Sequence, residues 1–235
     1  MISIVCPFYN EKENVVEMHD RLLKMASGLK DTWEIVFVND GSKDGGAELL
    51  ESTIKNSSIR LIHLNGNFGL TTALYAGLMS ARGEVMATLD ADLQNPPEEI
   101  PRLLDLMPGY DMVTGIRRKR MDDWLRRISS KIANGIRRSV MKEDIQDIGC
   151  SLRVFRRSVL ESFLPYKGMH RFFPGIAQIK GFKITQVLVD HEPRLRGTAK
   201  YGLGNRIFSA LWDLIAIRWM LNKKIEYKIL REYHG

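Results

Sequence analysis

Strand-like and helix-like segments alternate from the first residue onward, and this alternation limits the fold more than any other feature of the chain. Short apolar runs that favour buried strands are each followed by a segment whose apolar residues recur at helical spacing. The predicted strands cover residues 2–8, 33–38, 59–64, 85–89 and 111–115, and the predicted helices between them cover residues 11–25, 48–54, 71–81 and 98–107. Such a β-α-β-α series predicts an α/β fold, a Rossmann-like, mostly parallel sheet with helices on both faces.

The pattern changes after residue 115, although no linker, internal repeat or low-complexity tract interrupts the chain. The remaining predicted elements are a basic amphipathic helix at 124–140, strands at 151–155 and 183–189, a helix at 170–179, a polar loop at 191–204 and a long helix from about Asn205. We therefore predict one domain over residues 1–204, in which residues 116–204 complete a site begun by residues 1–115. An amphipathic C-terminal helix and tail at 205–235 follow it.

The composition is that of a soluble globular protein, with 44% hydrophobic and 27% charged residues in a chain of 235. Cys6 and Cys150 form no disulfide framework and no C-x-x-C pair, and Met1 leads directly into a strand without a signal peptide. No run reaches the ~18–20 uninterrupted apolar residues of a membrane span. These features predict a protein of the reducing cytoplasm.

The chain is basic, with a net charge of +7, and its cations concentrate between Arg117 and Arg157 and again from Arg194 onward. Nucleic acid, anionic lipid and phosphorylated substrates are the partners that such a charge attracts. Nucleic-acid binding is disfavoured because no aromatic residues alternate with the cations and no recognition helix is evident. We therefore expect phosphate groups and an anionic membrane surface as partners.

Polar residues follow the predicted strands, where ligands of parallel sheets bind. Asn10 and Glu11, Asn39 and Asp40, Asn65, and Asp90 with Asp92 come directly after strands one to four. The C-terminal ends of parallel strands share one edge of the sheet, so these side chains should converge there.

Two aspartates at the end of the fourth strand predict a metal site. Asp90 and Asp92 follow the buried run 85–89. Carboxylates this close repel each other and are costly to desolvate, so a site that holds both usually also holds a cation. Gln94 adds a neutral oxygen, and an all-oxygen set suits Mg²⁺ or Mn²⁺, which also bind phosphate oxygens. The alternative is an ordinary acidic turn at a strand end.

The loops after strands one and two carry groups suited to a nucleoside. We expect Pro7 to end the first strand, Tyr9 to stack on or hydrogen-bond a base, and Glu11 to accept from base or ribose donors; the alternative is a strand exit in which Asn10 caps the next helix. Asp40, before a glycine-rich turn, is placed for a base edge or a ribose hydroxyl. The turn is neither a Walker loop nor G-x-G-x-x-G, which disfavours ATP hydrolysis and dinucleotide binding.

Taken in order, these motifs resemble glycosyltransferase family 2. They are Pro7-x-Tyr9-Asn10-Glu11, Asp40-Gly41-Ser42-x-Asp44-Gly45, Asn67-x-Gly69 and Asp90-Ala91-Asp92-Leu93-Gln94-x-Pro96. More narrowly, nearly the whole chain resembles the polyprenyl-phosphate glycosyltransferases of the dolichol-phosphate mannose synthase type. The resemblance implies a GT-A fold, a GDP- or UDP-linked sugar donor, Mg²⁺ or Mn²⁺ as cofactor, and inversion at the anomeric carbon.

The resemblance also implies roles for individual residues. Those expected to bind the nucleotide-sugar are Pro7, Tyr9, Glu11, Asp40, Asp90, Arg196 and Lys200. Asp90, Asp92 and Gln94 are expected to hold the metal, and Arg117, Lys131 and Asp147 the acceptor, Lys131 by spacing only. The expected catalytic groups are Asp92, Arg117, Arg196 and Lys200, of which the last two lie in a basic loop that neutralises the leaving diphosphate.

The chain departs from many of the proteins it resembles by lacking C-terminal membrane spans. Residues 207–221 are apolar apart from a narrow polar stripe and Arg218, and they include Trp212 and Trp219. Such a helix suits the membrane interface, which predicts a peripheral protein on the cytoplasmic face. The alternative, a helix packed in the core or against a second copy in a homo-oligomer, stays open.

The function expected from these observations is inverting transfer of a hexose to a polyprenyl monophosphate. The nearest alternative is a family member that glycosylates a sugar hydroxyl in cell-envelope polysaccharide or glycolipid synthesis; it would need a general base, for which Asp147 and Asp144 are candidates. An alternative of another class, a non-catalytic nucleotide-sugar-binding or membrane-adaptor domain, would need a broken metal motif, whereas Asp90, Asp92 and Gln94 are all present.

Overall fold

The computed structural model describes residues 1–118, 135, 137–162, 165–193, 212–220 and 231. Seven strands in this part of the chain form one sheet in the order β3-β2-β1-β4-β6-β5-β7. They are β1 (Ile2–Phe8), β2 (Trp33–Asn39), β3 (Ile59–His63), β4 (Val85–Thr88), β5 (Met112–Arg117), β6 (Arg153–Arg156) and β7 (Ile184–Val189). The helices are α1 (Lys12–Ser27), α2 (Gly46–Thr53), α3 (Leu70–Ser80), α4 (Ile100–Leu104), α5 (Arg157–Glu161) and α6 (Met169–Ile179). Residues 137–141 and 212–220 are also helical.

Neighbouring strands are parallel except at β6. β1 pairs in parallel with β2 and β4, β2 with β3, and β5 with β7. β6 runs antiparallel between β4 and β5. The predicted mostly parallel α/β sheet is therefore confirmed, and the C-terminal ends of the other six strands share one edge.

The two faces of the central strands are buried in different apolar cores. Ile4 packs on the side of α1 with Met18 and Leu22, whereas Val5 packs on the side of α3. The α3 helix lies close to the sheet because of Gly77, where an added Cβ would be 2.5 Å from Val5 Cγ1. Strands buried on both faces read as continuous apolar runs, which is why the sequence revealed them.

The predicted strands and helices of residues 1–95 agree with the structure to within one or two residues at each end, but the predicted helix at 98–107 is wrong as a single element. It consists of a 3-10 turn at Pro97–Glu99, the short α4 helix and a second 3-10 turn at Met107–Gly109. Prolines lack the N–H that a continuous helix needs, and three of them fall within or beside this segment. Most of the predicted 124–140 helix, and the predicted 205–235 helix outside 212–220, lie outside the described residues.

A buried polar network joins the N-terminal ends of β1, β2 and β4. Glu34, whose side chain is 6% exposed, accepts hydrogen bonds from Ser3 Oγ at 2.7 Å, Arg82 N at 2.6 Å and Arg60 Nη1 at 3.2 Å. Ser3 Oγ in turn accepts from Gly83 N at 2.7 Å. Burial alone would raise the pKa of Glu34, but these hydrogen bonds and the charge of Arg60 lower it below its ordinary value.

We expect Glu34→Gln to lower the free energy of unfolding by about 2 kcal/mol at neutral pH, because buried donors lose a charged acceptor. The native pKa is below the unfolded one, so this contribution is present above the unfolded pKa of about 4.3 and is lost as the pH falls through the native pKa. Urea denaturation of the wild type and the variant at pH 7 and at about pH 3 checks this. An equal difference at both pH values would contradict it.

Candidate functional site

The loops at the C-terminal edge of the sheet begin from paired strand ends. Asp40 N donates to Phe8 O at 2.9 Å, which extends the β1–β2 pairing beyond the strands. Pro7, predicted to end the first strand, instead lies inside β1 opposite Val38. The strand therefore ends at Phe8, where the predicted bounds 2–8 place its end, and Tyr9 begins the loop.

The loops after β1 and β2 are bonded to each other. Asn10 N donates to Ser42 Oγ at 2.9 Å, and Lys43 N donates to Asn10 Oδ1 at 2.8 Å. Asn10 therefore does not cap α1; the first helical N–H, that of Lys12, donates instead to Asp44 Oδ2 at 2.8 Å. These hydrogen bonds fix the two loops relative to each other, on the side of the site where a nucleoside is predicted to bind.

Asp40 is almost fully buried and holds the glycine loop that opens α3. Its two carboxylate oxygens accept from Phe68 N at 2.8 Å and Gly69 N at 2.9 Å. Gly41, at φ +69°, lies so close to this loop that an added Cβ would be 2.5 Å from Gly66 C. Asp40 thus has two partners within the chain, and its contact with a nucleoside stays a prediction.

Tyr9 and Glu11 flank Asn10, the residue that bonds the two loops to each other. Tyr9 is half-buried, and Glu11 is buried, with Oε2 accepting from Asn14 Nδ2 at 2.7 Å. Both residues lie just after β1, as the sequence predicted. Their binding of a base or ribose stays a prediction.

Asp90 and Asp92 lie together where β4 leaves the sheet. Asp90 N donates to Ser151 Oγ at 3.2 Å, and Asp92 Oδ1 accepts from Gln94 N at 3.2 Å. Burial and then the charge of Asp92 raise the pKa of Asp90 to about 6, although Ser151, Arg153 and Arg117 act in the opposite direction. The chain alone therefore leaves negative charge at this turn incompletely balanced.

The same excess of negative charge affects the pKa of the Cys6 thiol near this turn. Burial, and then the charges of Asp90, Asp92 and Glu11, raise the pKa of Cys6 well above its ordinary value. The thiol is fully buried and protonated, so it takes no part in chemistry. Three carboxylates thus surround the C-terminal end of β1.

A divalent cation fits this donor set. Within residues 1–118 and the other described segments, no group of three or more Asp, Glu, His or Cys side chains forms a complete metal cage. Mg²⁺ and Mn²⁺ do not require one, because they commonly bind through one or two carboxylates together with substrate phosphates and water. Asp90, Asp92 and Gln94 provide oxygen ligands of that kind, and a cation there would offset the charge that raises the pKa of Asp90.

Ser151 contacts the Asp90 turn, whereas the resemblance implied for residues 147–153 only that they close the acceptor pocket. Its Oγ accepts from Asp90 N and, at 2.9 Å, from Asn95 Nδ2, while its carbonyl accepts from Thr88 Oγ1 at 2.9 Å. Ser151 thereby joins both ends of the Asp90 turn to the start of β6. The sequence predicted Ser151 as the first residue of a strand, whereas β6 begins at Arg153, and nothing in the sequence indicated the contact with the Asp90 turn.

Arg117, at the end of β5, is paired with Asp147. Its Nε donates to Asp147 Oδ2 at 2.7 Å and its Nη2 to Asp147 Oδ1 at 2.8 Å; Arg117 N also donates to Asp147 Oδ2 at 3.2 Å. Side-chain exposures of 16% and 8% show that the pair is largely buried. Gly149 leaves room for it, because a Cβ at that position would lie 2.7 Å from Arg117 Nη2. Two of the three residues predicted to bind the acceptor, Arg117 and Asp147, are therefore joined to each other.

Asp144, the other candidate base, is exposed and bonded to α6. Its Oδ1 accepts from Gln178 Nε2 at 2.6 Å, and its main-chain N donates to Gln178 Oε1 at 3.1 Å. It has no recorded contact with Asp90, Asp92 or Arg117 in the described part of the chain. The geometry gives it no role in the site.

Arg153 and His191 also interact electrostatically with Asp90 and Asp92, respectively, which the sequence did not predict. Arg153 is 5% exposed and donates to His170 O at 2.6 Å and Ile148 O at 2.8 Å, with its charge attracting Asp90. Burial and the charge of Arg117 lower the pKa of His191, against the pull of Asp92 and Asp147. The sequence placed His191 only at the start of a basic loop.

Three predicted site residues, Lys131, Arg196 and Lys200, lie outside the described residues. The same holds for most of the basic loop at 191–204, of which residues 191–193 are described. Their roles stay predictions.

The helical segment at 212–220 packs one side on the domain and exposes the other. Leu214 and Ile217 are buried with Phe172 and Ile176 of α6. Trp212 and Trp219 are 71% and 63% exposed. Among the residues that the structure describes, no helix has the length and apolarity needed to cross a membrane.

Comparison with known proteins relates the fold and the chain to one family. The family model described as Glycosyl transferase family 2 matches residues 3–164. In Edwardsiella ictaluri, an undecaprenyl-phosphate 4-deoxy-4-formamido-L-arabinose transferase is 37% identical over 217 residues, covering 91% of this chain and 66% of that protein. A protein of the same name from Pseudomonas savastanoi pv. phaseolicola is 40% identical over 217 residues, covering 91% of this chain and 64% of that one. The chain thus spans about two thirds of the length of these curated relatives.

Solved structures share the fold at much lower sequence identity. Glucosyl-3-phosphoglycerate synthase from Mycobacterium tuberculosis, crystallised with Mn²⁺, UDP and glucosyl-3-phosphoglycerate, superimposes with a TM-score of 0.69 at 20% identity, over 94% of this chain and 79% of that one. A complex of that enzyme with Mn²⁺, UDP and phosphoglyceric acid gives a TM-score of 0.70 at 18% identity, over 96% and 80% of the respective chains. The GT-A fold predicted from the sequence is confirmed.

Proposed function

The chain belongs to glycosyltransferase family 2, and we propose that it transfers a sugar from a nucleotide-sugar to a polyprenyl monophosphate with inversion. One observation carries the proposal: the anionic pair Asp90 and Asp92 and the cationic group of Arg117 lie close enough at one sheet edge for their charges to act on each other. The names of the curated relatives support a polyprenyl-phosphate acceptor. Their named sugar is an arabinose derivative, so the hexose expected from the sequence is one candidate among several.

On the donor side, the chain offers acidic and amide oxygens beside the loops after β1 and β2. Asp90, Asp92 and Gln94 would hold Mg²⁺ or Mn²⁺, and a bound cation would offset the charge of the donor diphosphate and of the nucleoside diphosphate that leaves. The Gln94 N–H orients the Asp92 carboxylate toward the turn. Tyr9 and Glu11 would contact the nucleoside from the β1 loop.

On the acceptor side, Arg117 would position the attacking phosphate. A phosphate monoester with a second pKa near ~6 is largely dianionic at neutral pH and attacks without a general base. Asp147 holds the Arg117 guanidinium through both oxygens, which fixes its plane and leaves the carboxylate engaged. An engaged carboxylate is poorly suited to take a proton from a hydroxyl, which argues against a sugar hydroxyl as acceptor.

Two further elements of the proposal rest on the sequence or on exposed side chains. Arg196 and Lys200, from the basic loop, would neutralise the departing diphosphate. The exposed face of the 212–220 helix would rest on the cytoplasmic membrane surface, where the lipid tail of the acceptor must remain, with Trp212 and Trp219 in the interface. The alternative of a second copy against that face is distinguished by the third experiment below.

The first test combines transfer with its metal requirement. Purified protein, incubated with a short polyprenyl phosphate and a panel of radiolabelled GDP- and UDP-linked hexoses and arabinose derivatives, should label the extracted lipid with one of them. Excess chelator and Asp92→Asn should each abolish labelling, because diphosphate and carboxylates otherwise repel. Asp105→Asn, an exposed acid just after α4, is the matched control and should keep full activity.

Full labelling in excess chelator, with no tightly held metal found by elemental analysis, would contradict the metal requirement. Labelling of an oligosaccharide hydroxyl instead of the lipid would contradict the acceptor.

The second test uses the Arg117–Asp147 pair. Arg117→Ala should lower turnover at saturating donor by about 100-fold or more, since a charged hydrogen bond to phosphate is lost in a dry site. Asp147→Asn should have a smaller effect, because the amide keeps one acceptor for Arg117, and its pH profile should keep the shape of the wild type. Turnover of both variants over a range of pH is the measurement.

A general base would give the opposite order. Loss of a general base lowers the turnover rate ~100- to 10,000-fold and removes the decline of the rate at acid pH. An inactive Asp147→Asn beside a nearly normal Arg117→Ala would therefore refute phosphate as the nucleophile while leaving the donor half intact.

The third test concerns the membrane surface. Trp212→Ser with Trp219→Ser should lower flotation with vesicles containing anionic lipid by about tenfold or more, as ~1.5 kcal/mol is lost for each large apolar side chain kept from the interface. Met79→Ser, which changes another exposed apolar residue, should leave flotation unchanged. Unchanged flotation of the double variant together with lost self-association in solution would favour the second copy.

A further inference from the structure

Three charged side chains far apart in sequence form a cluster beside the metal-site turn. Arg21 on α1 donates through Nε and Nη2 to the two oxygens of Glu98 at 3.0 and 2.8 Å. The same guanidinium contacts Glu192, the third residue after β7, at 3.2 Å from Nη2 and 3.5 Å from Nη1. We call Arg21, Glu98 and Glu192 the Arg21 cluster.

The main chain of Glu192, a member of this cluster, contacts the main chain of Gln94. Glu192 N donates to Gln94 O at 2.9 Å, and Gln94 N donates to Asp92 Oδ1 at 3.2 Å. A continuous series of contacts therefore runs from Arg21 through Glu192 and Gln94 to the Asp92 carboxylate. A parallel contact, Asp190 N to Glu99 Oε1 at 3.2 Å, fastens the same two segments a few residues away.

The segment held by Glu192 also carries His191. The ring of His191 lies within electrostatic reach of Asp92, Arg117 and Asp147, and its Nδ1 is buried without a hydrogen-bond partner in the described part of the chain. A shift of residues 190–192 would thus move a side chain that borders the donor and the acceptor groups at once.

We propose that Arg21 is a positioning residue of the donor site, which fixes the segment 190–192 against the Asp92–Gln94 turn. The inference rests on the proposed function only for its effect on catalysis, because the contacts themselves exist without substrate. Arg21 is suited to the role because one planar guanidinium serves two carboxylates from different loops, which a lysine point charge does not do equally well. Its side chain is 23% exposed, and those of Glu98 and Glu192 are 52% and 42% exposed, so the cluster contributes mainly position and little stability.

The first measurement needs no substrate. In Arg21→Gln, amide hydrogen exchange of peptides covering residues 90–95 and 188–193 should become about fivefold faster, which corresponds to ~1 kcal/mol of lost local stability. Peptides from β1 and β2 should be unchanged. Lys30→Gln is the matched control, because it removes the same charge from an exposed position just beyond the end of α1, and it should behave as the wild type.

The second measurement separates position from stability. Arg21→Gln should raise the donor KM about fivefold with the acceptor KM and the thermal midpoint nearly unchanged, and Arg21→Lys should recover part of the loss. Glu192→Gln combined with Arg21→Gln should be no worse than either alone, since the two act through one contact. High salt should bring the wild type toward the variants, because the pairs are partly exposed.

The outcomes distinguish this inference from the proposed function. Unchanged exchange at residues 90–95 and 188–193 in Arg21→Gln would overturn the inference, as would equal increases in both KM values. Absence of lipid labelling by the wild type would overturn the proposed function and leave the exchange result standing.

Discussion

The repulsion between Asp90 and Asp92 is the constraint on which this end of the molecule depends. β4 is held between β1 and β6, so its end cannot move to separate the carboxylates. Burial and that repulsion raise the pKa of Asp90 to about 6, against the opposing effects of Ser151, Arg153 and Arg117. These neighbours compensate the negative charge in part, and the proposed cation would supply the rest.

Side chains that bond to backbone amides hold the rest of the edge together. Asp40 holds the loop before α3, Asn10 and Asp44 join the loops after β1 and β2, and Ser151 joins the β4 turn to β6. Loops of this kind carry binding groups on a rigid sheet, and their mutual bonds reduce the ordering required when a ligand arrives. The same arrangement explains how a polar residue such as Asp40 is buried near the site with hydrogen-bond partners inside the chain.

Local patterns predicted the parallel strands, the helices up to residue 81 and the edge on which the polar groups gather. They did so because apolar periodicity and strand-end chemistry are properties of short segments. They did not predict the direction of β6, the broken helix around α4 or the pairing of Arg117 with Asp147. The last two reflect specific prolines and a contact between residues 30 positions apart. The effects of Arg153 and Ser151 on Asp90 were not predicted for the same reason: both residues come close to Asp90 only when β6 pairs with β4.

The antiparallel pairing of β6 fixes where the segment between β5 and β6 begins and ends. Thr114 of β5 is opposite Arg153 of β6, and Ala87 of β4 is opposite Val154, so the segment between β5 and β6 leaves and re-enters the sheet at fixed registers. Asp147 and Ser151 in this segment are fixed by their contacts with Arg117 and the Asp90 turn. Because the entropy of closing a loop rises only slowly with its length, residues added elsewhere in the segment cost little free energy. The registers of β4, β5 and β6 are kept by the pairing of these strands with each other. Under the proposed function, a change of acceptor would then arise in this segment without a change in β1–β4.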